Sequence, residues 1–534
     1  MKKKPIMRRY GDKLFQRLSS IFIALLLSVF LLAFPRSGYG ALVEYKYVLF
    51  LAICGGYCAV TIIMRVALAL SGKRPFEKPF ELIMKLPVAT MLLFLFLLIA
   101  ALSAVLSEHS GTFIGEFRKE GALTIAIHVI ACFLLSKYIR PKKWMLFLFG
   151  VSTCLFCLLS IVQLTGANPF TLYPQWHNYY GAGVYYSGEF IGTTGNAGLS
   201  AAFLSIATGV FAMSLIVFDF RKKWLLSVPL FLAVFLLFEM GIDAGLVALA
   251  GGLLLMLPVA VTNQKRLART LIVAAVVISA FVLSRAVVFN DGYTSFGSFR
   301  PLFLAAALFA AVLSIIVEFD ALSALFNGIK PRPPHPRAKG AEQPKKNIGM
   351  FSKIPSRWYR IVAVAIVLSV ICAAFFYLWS YSGDSSGMLY EASEMLHGRF
   401  DDAYGTGRVY IWRNVLGGTK GHLLFGTGAD TLGYWGIEPF TRYSEKLGVE
   451  IVSSFDSAHN EYLQILACQG ILALLCYMGA MAFSIVKWFR QPDNAICAIA
   501  GSGVLFFCIL AFFSINMFIT APFFWVCLAV LIYA

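Results

Sequence analysis

Apolar runs long enough to cross a lipid bilayer recur along the whole chain, and they constrain its fold more than any other feature. Charged residues make up only 13% of the sequence, against roughly 25% in soluble proteins. Because lipid offers no hydrogen bonds to the backbone, these segments have to be helical. The sequence therefore predicts an all-α, polytopic transmembrane helical bundle of about 14 spans (12–14), with one large extracytoplasmic loop that contains short helices. The predicted spans are residues 18–34, 47–70, 82–106, 121–139, 144–165, 196–218, 224–240, 244–262, 270–289, 301–318, 361–381, 459–486, 495–515 and 519–534.

The distribution of lysine and arginine predicts the orientation of these spans. With the N-terminus placed inside, the inner segments hold 32 of the 45 basic residues and the outer segments hold 12. This alternation predicts a multi-pass protein of the cytoplasmic (inner) membrane, with a cytoplasmic N-terminus. It also accounts for most of the net charge of +18, so we predict the lipid bilayer as the partner and no nucleic acid.

A proline-rich, basic segment at residues 327–360 divides the chain. Its composition predicts an extended cytoplasmic linker whose basic residues are attracted to anionic lipid headgroups. It separates an N-terminal transmembrane part, residues 1–326 with about 10 spans, from residues 361–534, with about 4 spans and an external loop at 381–458.

The first substantial outer loop, residues 166–195, is rich in aromatic residues such as Trp176. We weigh two interpretations of this loop: aromatic faces that stack on sugar rings, or a belt at the membrane interface. The loop ends in a turn of small residues before Asn196. This asparagine either lies beside a ligand or caps the following helix.

The loop at 381–458 is too long for a simple connector, and we expect the chemistry there. Residues 388–396 and 408–416 are amphipathic, which predicts short helices within it. Arg408 and Arg413 carry planar guanidinium groups that suit a diphosphate. Alternatively, these arginines pair with nearby aspartates, namely Asp401, Asp402 or Asp456.

His459 and Asn460 follow that loop at the mouth of the next span. A neutral imidazole at such a place can take a proton from a hydroxyl group. The competing interpretation is that both residues merely cap the helix.

Sequence motifs for several kinds of catalysis and nucleotide binding are absent from the chain. The sequence has no nucleotide-binding P-loop, no dinucleotide fingerprint, no HExxH and no GxSxG. The eleven cysteines lie mostly inside apolar runs, which favours packing over metal or redox roles. We therefore predict no cofactor and no metal, and a transferase outside the cell would need a donor supplied by the membrane itself.

At the loop motifs the sequence resembles the O-antigen ligase and O-antigen polymerase superfamily, bacterial polytopic C-type glycosyltransferases with one large external loop. The resemblance lies in GRVYIWRNVL (407–416), LLFGTGADTLGYW (423–435) and SAHNEYLQILACQGILALLCYMG (457–479), and more loosely in GTTGNAGLSAAF (192–203).

The resemblance implies a metal-independent, inverting transfer of a glycan from undecaprenyl diphosphate onto an acceptor hydroxyl. It implies that His459 is the general base and that Arg408 binds the donor diphosphate. The acceptor is a glycan, a lipid or a wall polymer, and the sequence does not separate ligase from polymerase. Further residues expected to contact substrate are Arg413, Asn460, Tyr462, Asn196, Arg285, Arg300 and Trp176.

The sequence departs from the family at one position. Where the family usually has a Ser-Arg-Gly-like motif, this chain has Gly241-Ile242-Asp243-Ala244-Gly245, with no arginine. Arg285 or Arg300 is then expected to replace the missing cation. The alternatives to an active glycosyltransferase are a transporter or flippase of lipid-linked saccharides, and a catalytically inactive family member in envelope polysaccharide assembly.

Overall fold

The computed structural model describes residues 6–73, 81, 84–165, 167–173, 178–179, 184–185, 190–290, 293–296, 355–384, 387–444 and 449–534. The predicted span at 301–318 and most of the predicted linker at 327–360 lie outside these residues.

Helices dominate the described part of the chain. In chain order they are α1 (Ile6–Leu25), α2 (Leu42–Phe50), α3 (Gly56–Leu70), α4 (Val88–Leu106), α5 (Ala122–Tyr138), α6 (Lys143–Leu164), α7 (Ala197–Val217), α8 (Ser227–Met240), α9 (Asp243–Leu255), α10 (Leu257–Ala260), α11 (Gln264–Ala286), α12 (Ser356–Trp379), α13 (Met388–Leu396), α14 (Tyr404–Gly418), α15 (Glu461–Arg490), α16 (Ala495–Ala511) and α17 (Ala521–Tyr533).

Short strands form hairpins outside the helices. The strands are β1 (Asn178–Tyr179), β2 (Val184–Tyr185), β3 (Val287–Asn290), β4 (Tyr293–Phe296), β5 (Phe440–Ser444) and β6 (Val449–Ser453). Each pairs with its neighbour in an antiparallel two-stranded ladder. The hairpins were not expected from the sequence, which predicted an all-α chain.

The polytopic helical bundle is confirmed for the described residues. Nine helical stretches there are long and apolar enough to cross a membrane, and four shorter apolar helices accompany them. The shorter helices are α5, α9, α16 and α17. These thirteen helices correspond to thirteen of the fourteen predicted spans, and the remaining prediction lies outside the described residues.

Helix α7 is the centre of the bundle. All of its apolar window is buried, because the helix is apolar around its whole circumference. It packs closely on α16 at Gly209, where an added Cβ atom would lie 2.7 Å from the Ser502 carbonyl oxygen. Small residues of this kind allow two helix backbones to approach in a membrane.

Helix α15 is broken at Gly470, which has φ +85° and ψ 175°. Residues 423–428 lie against the break and satisfy the freed backbone groups. The Thr427 and Gly428 N–H groups donate to the carbonyls of Ala467 and Cys468, at 3.1 and 2.8 Å. In return, the N–H of Ile471 donates to the Leu423 carbonyl at 2.8 Å. We call residues 423–428 the filling segment; its three hydrogen bonds satisfy backbone groups that the break would otherwise leave without a partner in an apolar environment.

The long loop, residues 381–458, packs on the segment between α4 and α5, residues 107–121. Ser107 Oγ donates to the Thr427 carbonyl at 2.6 Å. The Tyr434 ring stacks on His109 with ring centroids 4.4 Å apart, and its hydroxyl bonds to Glu116. The loop is therefore fastened to a distant part of the chain, and both contribute to one cleft.

Candidate active site

A cleft opens where α15 begins. It is lined by the start of α15, by α5, by the segment at 107–121 and by the connection between α16 and α17. Its polar and titratable lining residues are Arg118, Glu120, His128, Asp430, Ser457, His459, Asn460, Glu461, Gln464, Gln469, Tyr477, Asn516 and Trp525.

His459 lies in this cleft in a left-handed backbone conformation, with φ +47°. That conformation costs a residue with a side chain about 1–2 kcal/mol, so its surroundings have to hold it. Two side chains hold the preceding residue: Gln464 Oε1 accepts from the Ala458 N–H at 2.8 Å, and Trp412 Nε1 donates to the Ala458 carbonyl at 3.0 Å. The backbone that leads into His459 is therefore held by α14 and α15 together.

The His459 imidazole is neutral at physiological pH. Burial lowers its pKa to about 4, and the positive charges of Arg118 and Arg408 act in the same direction, while Asp456 opposes them. A neutral ring has a nitrogen lone pair that can accept a proton. Of these two guanidinium groups, that of Arg118 also lines the cleft.

Arg408 stands at the start of the regular part of α14. Residues 405–407 have φ values of +62°, +60° and +89°, so the chain makes a left-handed turn immediately before it. Arg408 Nη1 donates to the Gly405 carbonyl at 2.9 Å, and the Gly405 N–H donates to Glu391 of α13 at 2.8 Å. The glycine-rich turn thus positions the arginine, because only glycine adopts such angles readily.

Arg118 is the second cation, and the sequence analysis missed it as a site residue. Its main-chain N–H donates to Asp430 at 2.8 Å, and its guanidinium pairs with Asp456. Its Nε is buried and has no hydrogen-bond partner in the described part of the chain. The available signal was an arginine in an outer segment, where the positive-inside rule makes basic residues scarce.

Other buried polar atoms on this cleft also lack partners among the described residues. They are His128 Nε2, Ser457 Oγ, Gln469 Oε1, Asn516 Oδ1 and Trp525 Nε1. Buried polar atoms are nearly always hydrogen-bonded, and each unsatisfied one costs about 1–3 kcal/mol. Their concentration on one cleft indicates a place for a polar ligand or for water.

Two carboxyl groups of the cleft have raised pKa values. Burial raises the pKa of Asp430 to about 6, although two N–H groups, from Phe117 and Arg118, donate to it. Burial also raises the pKa of Glu120 well above its usual range, and the nearby Glu461 adds to this effect. The cleft is thus dry enough to penalise charge.

The family model described as O-antigen ligase matches residues 348–478. For these residues the match supports an O-antigen ligase-like superfamily. The match supports a membrane glycosyltransferase-like function in polysaccharide assembly. A search of curated proteins found no match.

The O-antigen ligase-like segment contains Arg408, His459 and the break at Gly470. Arg118 lies outside the matched residues, although its guanidinium reaches Asp456 within them. The cleft therefore combines the family segment with the N-terminal part of the chain.

Some of the predicted substrate residues have structural partners. Arg413 pairs with Asp402 at 2.8 Å, as the alternative interpretation expected. Asn460 caps α15 by accepting from the Tyr462 and Leu463 N–H groups, at 3.0 and 3.1 Å. Tyr462 donates its hydroxyl to the Cys508 carbonyl at 2.8 Å. Asn460 also lines the cleft, so capping leaves its predicted substrate role open.

Asn196 and Arg285 do not line the cleft. Asn196 caps α7 by accepting from the Leu199 N–H at 3.2 Å. Arg285 lies in the last turn of α11, with its guanidinium 5.4 Å from the centre of the Phe281 ring. Arg300 and Trp176 lie outside the described residues. The roles predicted for these four residues stay predictions.

Proposed function

We propose that this protein transfers a glycan from a polyprenyl-diphosphate carrier, such as undecaprenyl diphosphate, onto an acceptor hydroxyl at the outer face of the cytoplasmic membrane. One observation carries the proposal: a neutral, half-buried imidazole, His459, stands in a cleft with the Arg118 guanidinium, and the charges of Arg118 and Arg408 both lower its pKa. A proton acceptor next to fixed positive charge is what a transfer with a diphosphate leaving group requires.

His459 acts as the general base in this proposal. As the acceptor oxygen attacks the anomeric carbon, its proton passes to an imidazole nitrogen and a new glycosidic bond forms. The bond between the anomeric carbon and the phosphate oxygen breaks, and the lipid diphosphate leaves with the electron pair. Attack opposite to the leaving group inverts the anomeric carbon.

Arg408 and Arg118 stabilise the leaving diphosphate. Negative charge grows on the phosphate oxygens as the bond breaks, so fixed guanidinium groups contribute most in the transition state. Arg118 then supplies the positive charge that the Gly241–Gly245 motif lacks. This assignment differs from the sequence-based expectation that Arg285 or Arg300 takes that place.

The test is transfer by the protein reconstituted with a lipid-linked oligosaccharide and an acceptor. We expect His459→Ala to lower the transfer rate about 10²- to 10⁴-fold, as loss of a general base does. Arg118→Ala and Arg408→Ala should each lower it about 10²-fold. Undiminished transfer by His459→Ala contradicts the general-base role.

Two matched controls lie in the long loop. His422→Ala removes an exposed imidazole, and Arg399→Ala removes an exposed guanidinium that pairs with Glu394. Neither side chain lines the cleft, so both variants should keep the wild-type rate. Translocation of the lipid-linked saccharide without transfer would instead support the flippase. A rise in activity for Asp243→Arg would show that Arg118 does not replace the family's cation.

A further inference from the structure

Helix α13 of the long loop exposes its apolar side chains. Met388, Leu389 and Leu396 are exposed by 44, 42 and 38%. At about 100° per residue, all three lie within about a third of the helix circumference, while Tyr390 and Glu391 lie on the other half. A helix in water turns such a face toward the protein, so the exposed face of α13 needs a cover.

The end of α12 sets the level at which α13 lies. Helix α12 is a candidate span, and only 11% of its apolar window is buried within the described part of the protein. Phe376, Tyr377 and Trp379, at the end of α12, are exposed by 67, 57 and 50%, a pattern typical of aromatic residues at a membrane interface. The Trp379 ring packs on His397, the residue after α13, with ring centroids 4.5 Å apart. Helix α13 is therefore at the level of the membrane interface, where lipid is the nearest cover for its apolar face.

The opposite face of α13 holds the turn that precedes Arg408. The Glu391 carboxylate accepts from the Gly405 N–H at 2.8 Å, and the Gly405 carbonyl accepts from Arg408 Nη1 at 2.9 Å. The Tyr390 ring also meets the Tyr404 ring edge-on, with centroids 6.4 Å apart. A glycine turn is flexible on its own, so its conformation depends on what α13 supplies. Gly405 thus links Glu391 to Arg408 through its N–H and its carbonyl.

We propose that α13 inserts its apolar face into the acyl chains of the outer leaflet, and that the inserted helix positions Arg408 through Glu391. A short amphipathic helix with large apolar side chains on one face is the kind that lies in a membrane interface. The role of Arg408 toward a diphosphate rests on the proposed function, whereas the insertion of α13 does not. Glu391 is a positioning residue, because it acts on the diphosphate only through Arg408.

Fluorine NMR tests the insertion. Trifluoromethyl-phenylalanine in place of Leu396 is observed with the full chain in nanodiscs of phosphatidylethanolamine and phosphatidylglycerol. We expect a doxyl-labelled phospholipid to broaden its signal more than a soluble gadolinium chelate does. The same probe in place of Glu438, an exposed charged residue of the same loop, should show the reverse. Broadening at position 396 by the chelate alone would overturn the insertion and leave the face open to a protein partner.

The Kd for undecaprenyl diphosphate, measured with the full chain in nanodiscs, tests the positioning role. We expect Glu391→Ala to raise this Kd about three- to tenfold, the effect of one lost hydrogen bond. Glu391→Gln retains an acceptor oxygen for the Gly405 N–H and should keep a Kd close to that of the wild type. Glu394→Ala is the matched control, since Glu394 lies on the same helix but pairs with Arg399. A wild-type Kd for Glu391→Ala, or no measurable binding by the wild type, would overturn the positioning role.

A double variant tests whether the two faces of α13 act together. Leu389→Asn combined with Leu396→Asn makes the apolar face polar and should raise the Kd by the same factor as Glu391→Ala. Adding Glu391→Ala to this pair should change the Kd no further, because the two changes disturb one device. Leu389→Ile combined with Leu396→Ile keeps the face apolar and should keep the wild-type Kd. Effects of the two faces that multiply would overturn the coupling.

Failure of this inference and failure of the proposed function give different results. If the wild type binds undecaprenyl diphosphate in a Glu391-dependent way but transfers no glycan, the proposed function fails and the role of α13 stands. If the wild type transfers the glycan while Glu391→Ala keeps the wild-type Kd, the role of α13 fails and the proposed function stands.

Discussion

The pH dependence of transfer is the sharpest consequence of the environment of His459. The pKa of this imidazole is lowered to about 4 by burial and by the charges of Arg118 and Arg408. The base is therefore in its active, neutral form across most of the usable pH range. At pH 5.5, about 97% of rings with a pKa of 4 are neutral, against about 9% of rings with an ordinary pKa of 6.5.

These fractions give a tenfold contrast that an assay can resolve. If only the titration of His459 is considered, we expect kcat/KM at pH 5.5 to be close to its value at pH 7.5. A histidine with an ordinary pKa would instead lower kcat/KM about tenfold between pH 7.5 and pH 5.5. The assay is initial-rate transfer with a lipid-linked oligosaccharide at pH 4.5–8.5. A limb near pH 6.5 that belongs to His459 would refute the reasoning.

Neighbouring groups provide the controls for this profile. Asp430 has a pKa raised to about 6 and lines the same cleft, so a limb near pH 6 that vanishes in Asp430→Asn belongs to that carboxyl group. Glu120 and Glu461 also line the cleft. Removing the positive charge in Arg118→Met should move the His459 limb upward, because a cation disfavours imidazolium. Asp456→Asn should move it downward, since Asp456 raises the pKa of His459.

Three further predictions concern what holds the site. Gly470→Ala places a side chain at φ +85° against the Leu424 carbonyl and should destabilise the protein by about 2–4 kcal/mol. The measurement is the unfolding temperature in detergent, which should fall; an unchanged temperature would show that the broken helix at Gly470 does not require a glycine. Trp412→Phe removes the hydrogen bond to the Ala458 carbonyl and should lower kcat by about tenfold, with little change in stability. Transfer kinetics test this prediction, and an unchanged kcat would show that this bond does not position His459. Gly209→Val should prevent the close contact of α7 with α16 and so reduce the yield of folded protein. Size-exclusion chromatography measures this yield; a normal yield would mean that the two helices can move apart without loss of stability.

Local features of the fold were predictable from the sequence because they depend on neighbouring residues. The amphipathic pattern at 388–396 predicted a helix, and α13 has those same bounds. Asn196 and Asn460 were correctly weighed as helix caps, since capping uses N–H groups only two or three residues away. Helical periodicity and cap residues therefore predict where a helix lies and where it begins from residues within a few turns of each other.

The parts that could not be predicted depend on contacts between distant residues. Arg118 and Asp456 are 338 residues apart, so nothing near either one reveals the pairing. The break at Gly470 was not visible, because its apolar surroundings are typical of an uninterrupted span. Its cause, the filling segment, lies more than forty residues upstream and meets the break only after the long loop has folded.

The filling segment has a consequence for how the protein is made. Until residues 423–428 reach α15, the carbonyls of Ala467 and Cys468 and the N–H of Ile471 have no loop partner, and a lipid environment makes that state costly. Completion of the span is thus coupled to folding of the loop. We expect a chain with a damaged loop to present an unfinished helix within the bilayer, and therefore to be degraded faster than the wild type by the quality-control proteases of the membrane.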